Sequence, residues 1–594
     1  MTALRVTLGV SLAALVALLG SFAGPPASVA VVIRDARVFD GERVWPRASV
    51  VLRDGLIEAF GETVEVPAGA QVIDGSGHTL LPGLIDSHVH AWGDARRDAL
   101  RFGVTTELDM FTDASLLPEA RRTRGLRTRT DEADLWSAGM LATVPGGHGT
   151  EYGLAVATLT GPAEAASWVA ARKAEGSDYI KIVREDLHVY GAGQRYPTLD
   201  APTEAALVRA AHAQGLKAVV HASARAQALE ALSDGADGLV HVFQDEVADE
   251  ATVELARHAF VVPTLTVIAG FAGEANTLGG DPRIAPFLAP GQAQSLAAHL
   301  ELGGPAASLL ANARESVRRL HAAHVPLLAG TDAPNPHTAH GASLHDELAQ
   351  LVAAGLTPVE SLAAATSVPA THFGLGDRGR IGVGLRADLV LVEGDPTSDI
   401  TATRAITTIW KNGFAVERAP GREPAAHTRL EPGPVSDFEA SLAADRGMRW
   451  LPTTDERLGG HSVATLARVP EGADGSHGAL RLTGEIQRGF SWPWAGALLS
   501  PGAQPMEPVD ASSCTALEFW ARGDGREYSV LLFSGPAQGR PSAQRFRPGP
   551  EWARVTVPLA SFAGAQLRQL RGLALTAGLP TGPFQLDVDG VEVR

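Results

Sequence analysis

From residue 29 to 82, short β-rich runs (VAVVIRDARVF, ASVVLRDGLIEAF, AQVIDGSG) alternate with Asp-Gly, Gly-Glu and Pro-Ala-Gly turns, which predicts a small sheet. From about residue 83 the rhythm changes. Apolar runs (GVTTELDMF, SAGMLATV, DYIKIV, KAVVHA, GLVHV, FVVPTLTV, VPLLAGTDA) now alternate with Ala-rich helical stretches such as EAASWVAARKAEG and TEAALVRAAHAQG. Each run is too apolar to leave one face in water, and each is followed by a helix-length segment. The pattern predicts an α/β fold in which residues 83–379 close a parallel sheet into a (β/α)8 TIM barrel.

After helix candidates at 342–354 and 357–371, strand character returns in GRIGVGLRADLVLVEGDP and AITTIWKNGFAVE. Residues 380–418 are therefore expected to rejoin residues 29–82 as one small composite β-sandwich domain. The Pro-rich stretch ERAPGREPAAHTRLEPGPVSD places a linker at 419–434. Beyond it, residues 435–594 carry many short strands (ALRLTGEI, ALEFWAR, YSVLLFSG, FQLDVDGVEV) and no long helical period, as a separate all-β sandwich does.

Length and charge narrow the function. A chain of 594 residues, 45% apolar and 20% charged, supports more than one core. Its net charge of −17 disfavours nucleic acid and anionic membrane surfaces, leaving a small molecule or peptide as the expected partner. The N-terminus has Arg5, an apolar stretch from Val6 to Leu19, and small residues at Ser21-Phe22-Ala23 and Ser28-Val29-Ala30. That is a secretory signal pattern over residues 1–28, since the apolar core is shorter than the roughly 20 residues of a membrane span. An exported chain, periplasmic or extracellular and without membrane attachment after cleavage, is expected. Its single cysteine, Cys514, excludes an intrachain disulfide.

Candidate chemistry gathers at the ends of the barrel runs. LLPGLIDSHVH ends in His88 and His90; later runs deliver Lys181, His221, His241 and Asp332. In a barrel the C-terminal strand ends open on one face, so these six converge despite their distance in sequence. Four histidines and an aspartate exceed the needs of one catalytic ion and fit two divalent metals, with zinc the expected ion. A binuclear pair needs a bridging anion. Lys181 stands in a run so apolar that its amine should be held neutral, able to react with carbon dioxide to give a carbamate, the equivalent of a carboxylate.

With GLIDSHVH, the strand-end lysine, two single-histidine strand ends and GTDAP in order, residues 30–418 resemble the amidohydrolase superfamily. The segments RIGVGLRADLVLVEGDP and GASLHDELAQLVAAGLTPVESLAAATSVPATHFGL add to the likeness. The resemblance implies that His88, His90 and Asp332 bind the more buried metal and His221 and His241 the more exposed one, with carboxylated Lys181 bridging them. It implies a hydroxide held between the metals that attacks a carbonyl, with Asp332 as base and then acid. TVPGGHGTEYG further resembles the group of Xaa-Pro dipeptidases, imidazolonepropionase-like enzymes and ochratoxin hydrolases. A C–N amide bond in a dipeptide, N-acyl amino acid or ochratoxin-like amide is then the expected target. An esterase or lactonase using the same site is the first alternative.

His148 in GGHG is placed to hydrogen-bond an oxyanion or a substrate carboxylate, or to serve loop structure. Tyr190 resembles a residue that contacts the substrate's terminal carboxylate in dipeptidase relatives, and Arg184 and Arg195 offer positive charge in the same loop. His337, His340 and His345 are expected to support the site or the fold rather than bind metal. Arg121, Arg122, Arg124, Arg127 and Arg129 read as a solvated basic face. In the C-terminal region, Trp492 and Trp494 suit either a core or a carbohydrate platform. Residues 435–594 also resemble the sandwiches of the complex I intermediate-associated protein family, as an accessory module. A glycan-binding surface protein is the reading from a different class, and homo-oligomerisation is left open.

Overall fold

The structure is a computed structural model. It describes residues 29–594 apart from 129, 151–155, 191–194, 299–305, 420–428, 445–449, 456–460, 489–492, 503–505 and 536–540. Residues 1–28, where a signal segment is expected, and Arg129 and Trp492 lie outside the described residues. Among the described residues, no helix is long and apolar enough to cross a membrane.

The first sheet is assembled from segments on both sides of the parallel-strand region. It takes β1 (Val31–Phe39), β2 (Val44–Arg53), β3 (Leu56–Gly61), β4 (Gln71–Asp74) and β5 (His78–Pro82) from the N-terminal segment. Three further strands, which pair with these, come from residues 389–415. Alternate residues of these strands, among them Ile33, Ala36, Val38, Val50 and Leu52, are buried in a core of their own.

Between these two contributions run parallel strands, β6 (Leu84–Val89), β7 (Val104–Asp109) and β8 (Asp134–Ser137) in one arc, and β9 (Ile180–Val183), β10 (Ala218–His221), β11 (Gly238–Val240) and β12 (Phe260–Val262) in another. Single parallel bridges continue the pairing beyond the arcs: Ala142 with Ile182, Val261 with Leu327, and Val89 with Ala333. The strands are buried along their whole length, as parallel strands covered by helices on one side and packed on the other must be. Helices such as Ala165–Glu175 and Ala201–Ala213 lay Val169, Leu207 and Val208 against Ile180, Val220 and Leu239.

Two expected strands differ. SAGMLATV supplies only the end of β8 at Ser137 and the lone bridge at Ala142; the strand itself is Asp134–Ser137. VPLLAGTDA likewise makes single bridges at Leu327 and Ala333 rather than a ladder.

The chain then returns to the first sheet as β13 (Leu389–Glu393), β14 (Ile406–Lys411) and β15 (Phe414–Ala415), giving the order β15-β14-β13-β5-β1-β2-β3, with β4 on β1. Leu389, Leu391 and Trp410 complete that sheet's core. The C-terminal region is two further antiparallel sheets. Ala479–Ile486, Ala516–Gly523 and Gly582–Val593 belong to one, Ala495–Leu499, Tyr528–Ser534 and Leu570–Ala577 to the other. They enclose a separate core that includes Trp450, Phe519, Tyr528 and Leu586. Trp494 in this region is half-buried, and its backbone amide donates to Asp455 at 3.1 Å.

Candidate metal centre

β6 runs out into His88-Val89-His90, and the segment after Leu327 folds back over it. Asp332 N donates to His88 O at 2.8 Å, and His90 N to Ala333 O at 2.8 Å. This locks two distant stretches together and brings the Asp332 carboxylate over the histidine pair. Oδ1 of Asp332 lies 3.2 Å from His88 Nε2 and 3.0 Å from His90 Nε2, while Oδ2 lies 3.7 Å from His241 Nε2. Lys181 Nζ reaches the same place, 3.5 Å from His88 Nε2. The rings of His88 and His241 stack at 4.7 Å, and His221 stands edge-on to His241 at 4.7 Å. His148, half-buried, has its ring 5.4 Å from that of His221.

His88, His90, Lys181 and His241 around Asp332, with His221 beyond them, are thus neighbours, His88 and His90 delivered by β6 and the others by separate strands or the segments that follow them. Burial is the main reason that His88, His221 and His241 are held well below the usual imidazole range, hence neutral with a lone pair to offer. Burial also brings the Lys181 amine down to about 7, against the pull of Asp332 and Asp109. His88, His241 and Asp332 present ligand atoms all within 4.8 Å of one another. Neutral imidazole nitrogens turned toward one buried carboxylate form the donor set a divalent cation requires, so these residues fit such an ion.

Two acids that sequence reading passed over brace this loop. Asp86 is fully buried and accepts from Thr331 Oγ1 at 2.7 Å and from the backbone amides of Thr331 and His88 at 3.1 and 3.2 Å. Its carboxyl is pushed up to about 7, chiefly by burial. Asp109, at the end of β7, accepts from Ala91 N at 2.8 Å and from Ser137 Oγ. Burial raises it to about 6. Asp109 ends β7, whereas Asp86 lies within β6 and inside GLIDSHVH, which was the available signal. Glu185 and Thr264 were also missed; each contacts a histidine of the centre, at His221 Nε2 and His241 Nδ1 respectively.

Other expectations change. Arg184 does not face the centre: it is buried, pairs with Glu204 at 2.8 Å, and also bonds Glu230 and the Leu199 carbonyl. Arg195 is 69% exposed and pairs with Asp186. Arg124 is no solvated cation; it pairs with Asp178 at 2.6 and 2.8 Å and stacks on Trp136. Tyr190 accepts a hydrogen bond from Gln244 Nε2 at 2.9 Å and packs edge-on against Phe271. Burial pushes its phenol up, so it stays protonated. His340 contacts Glu107 at 3.0 Å, and His345 lies 3.0 Å from both Thr403 Oγ1 and the Phe102 carbonyl, while His337 packs under Gly270.

The amidohydrolase family matches residues 79–416, and the complex I intermediate-associated protein 30 family matches residues 437–573. Imidazolonepropionase of Cereibacter sphaeroides is 28% identical over 393 residues, covering 62% of this chain and 94% of that protein. Allantoinase of Streptomyces avermitilis is 35% identical over 115 residues, 18% of this chain, and the chain spans only 25% of that relative's length. Among solved structures, a Xaa-Pro dipeptidase with methionine bound in its active site superposes with a TM-score of 0.54 at 24% identity, covering 65% of this chain and 100% of that one. At that identity the likeness carries the fold.

Proposed function

This chain belongs to the amidohydrolase family, and from that premise we propose that it hydrolyses a C–N amide or peptide bond of a small, carboxylate-bearing substrate at a binuclear metal centre. The observation that carries the reading is the approach of His88, His90 and His241 Nε2 to the one Asp332 carboxylate, with Lys181 beside them. The two parallel arcs are read as halves of one closed (β/α)8 barrel whose strand ends supply these groups.

His88, His90 and Asp332 would hold one divalent cation and His221 and His241 a second, with zinc the ion that suits the donors. Lys181, its amine near neutrality at about 7, loses a proton and takes up carbon dioxide to become a carbamate, which supplies the shared anion. When bound, the cation pair would polarise the scissile carbonyl and make a water acidic enough to attack at neutral pH. Asp332 accepts the proton of the attacking water at a carboxylate oxygen and returns it to the leaving amine. His148, beside His221, is placed to hydrogen-bond the developing oxyanion, and Tyr190, a protonated phenol, to donate to a substrate carboxylate. The apolar N-terminal segment supports export, to be checked by the mass of the mature chain.

Purified protein should carry about two divalent ions per chain and lose turnover with a chelator. Lys181→Ala should strip most of the metal. Asp332→Asn should keep at least one ion yet lose about 10²–10⁴-fold in turnover, the usual contribution of positioned proton transfer. Matched amide and ester substrates, assayed in parallel, separate amidase from esterase. Full activity in a metal-free preparation overturns the proposal.

A further inference from the structure

His241 and His221 are each held from behind by a buried group outside the metal-binding set. Thr264, just after β12, is fully buried. Its φ of 54° puts a β-branched residue in the left-handed region, where its side chain is crowded against its own backbone. It also occupies the N-cap position of helix Leu265–Phe271, where a threonine hydroxyl ordinarily accepts from a first-turn amide. Here it makes no cap bond, and Glu347 Oε2 accepts from Thr266 N at 2.8 Å instead. The freed hydroxyl donates to the Pro263 carbonyl at 2.8 Å and touches His241 Nδ1. A hydroxyl has one proton. With that proton on Pro263, the His241 contact is Nδ1–H donating to Thr264, which leaves the Nε2 lone pair facing Asp332.

Glu185 plays the matching part for His221. It is fully buried; Oε1 accepts from Leu187 N at 2.6 Å, and Oε2 lies 3.2 Å from His221 Nε2. A carboxylate acceptor makes Nε2 the donor and leaves Nδ1 as the free lone pair.

We propose that Thr264 and Glu185 are positioning residues that fix His241 and His221 in opposite tautomers, and that the left-handed backbone at Thr264 is retained because it aims the hydroxyl at His241. The inference rests on the metal-centre reading above. Its test is metal retention in the full-length chain loaded with cobalt(II), followed by visible absorption and by release to a chelator, with the melting temperature of the metal-free protein measured alongside.

Thr264→Val, which keeps the shape and removes the hydroxyl, should bind cobalt 10–100-fold more weakly and shift the cobalt spectrum, whereas Thr264→Ser should stay near wild type. Thr264→Gly relieves the left-handed crowding, so its metal-free melting temperature should lie at or above that of Thr264→Val while its cobalt release stays fast. A purely structural threonine would instead make retention follow melting temperature across the three variants, and that pattern overturns the proposal for Thr264. Glu185→Gln can offer an oxygen to only one of Leu187 N and His221 Nε2, so it should weaken cobalt binding by a similar factor even where a Thr264 variant fails to fold. Wild-type binding of two cobalt ions, with Thr264→Val and Glu185→Gln releasing them at the wild-type rate, overturns the positioning roles alone. Wild-type protein that binds no cobalt overturns the metal-centre reading beneath them.

Discussion

Gly330 shows how tightly one residue couples the two halves of the centre. A Cβ placed there would stand 2.5 Å from Val262 Cγ1 and 2.8 Å from the His88 backbone nitrogen. Neither neighbour is the free end of a flexible chain, so Gly330→Ala should push the Asp332 segment off His88 at an overpacking cost of about 1–3 kcal/mol. We expect a lower melting temperature together with reduced metal content, measured on the same sample; wild-type metal content in a normally melting variant would refute the coupling. The glycine appears in the sequence only as part of GTDAP. Residues at or beside the end of an apolar run, such as His88, His221 and His241, were legible because a polar group closing a buried strand is conspicuous, and Lys181 because it is the one charge inside the buried run IKIV. Asp86, Glu185 and Thr264 were not, since their importance lies in which strand end they touch across the sheet. Arg184 and Arg124 were misread for the same reason: a sequence shows a cation but not the buried Glu204 or the half-buried Asp178 that engages it.

At the scale of elements, the helix Leu265–Phe271 depends on a cap from far away in sequence. Glu347 accepts from Thr266 N in place of Thr264, and burial raises its carboxyl to about 8. In the unfolded chain a glutamate ionises near its ordinary value of about 4.3. Between these two values the folded state binds more protons than the unfolded one, so stability falls as pH rises, by at most about 1.4 kcal/mol per pH unit from this group. Glu347→Gln keeps an oxygen for the cap and removes the titration. Its melting temperature relative to wild type should therefore climb from about pH 5 to about pH 8 and then level off. A pH-independent difference between the two proteins would refute the linkage. Strand placement was legible wherever the run was dominated by apolar residues, as in DYIKIV and KAVVHA. It failed at β8, because Asp134 there is a buried charge that accepts from Arg378 at 2.6 Å and Lys411 at 2.8 Å. That partnership makes a core strand read as a polar turn.

The whole molecule turns on where the chain can be cut. β13, β14 and β15 complete a sheet begun by β1–β5, with Leu391 paired to Leu80, and Lys411 on β14 bridges Asp134 and Asp388 at 2.8 and 2.7 Å. Arg418 then ties back to the parallel-strand region, donating to the Arg101 carbonyl at 2.8 Å and lying over the Phe287 ring, and it also donates to the carbonyl of Ile406 on β14 at 2.9 Å. The C-terminal sandwich closes on itself, since Gly433 and Leu517 both pair with Val593, and its apolar cluster is distinct from that of the parallel strands. A chain ending at Ala419 should accordingly fold, bind the same metal and keep kcat/KM within a few-fold of the full protein. One ending at Gly379 exposes the edge of β5 and leaves the buried Asp134 without Lys411. Losing one partner of a buried ion pair costs about 3–5 kcal/mol, and the exposed edge invites aggregation, so this shorter chain should be insoluble or melt far lower. Circular dichroism melts and metal content on the two truncations decide the matter. Equal stability of both would mean that the composite sheet is dispensable, and a loss of hydrolysis on ending at Ala419 would make the sandwich part of the active unit.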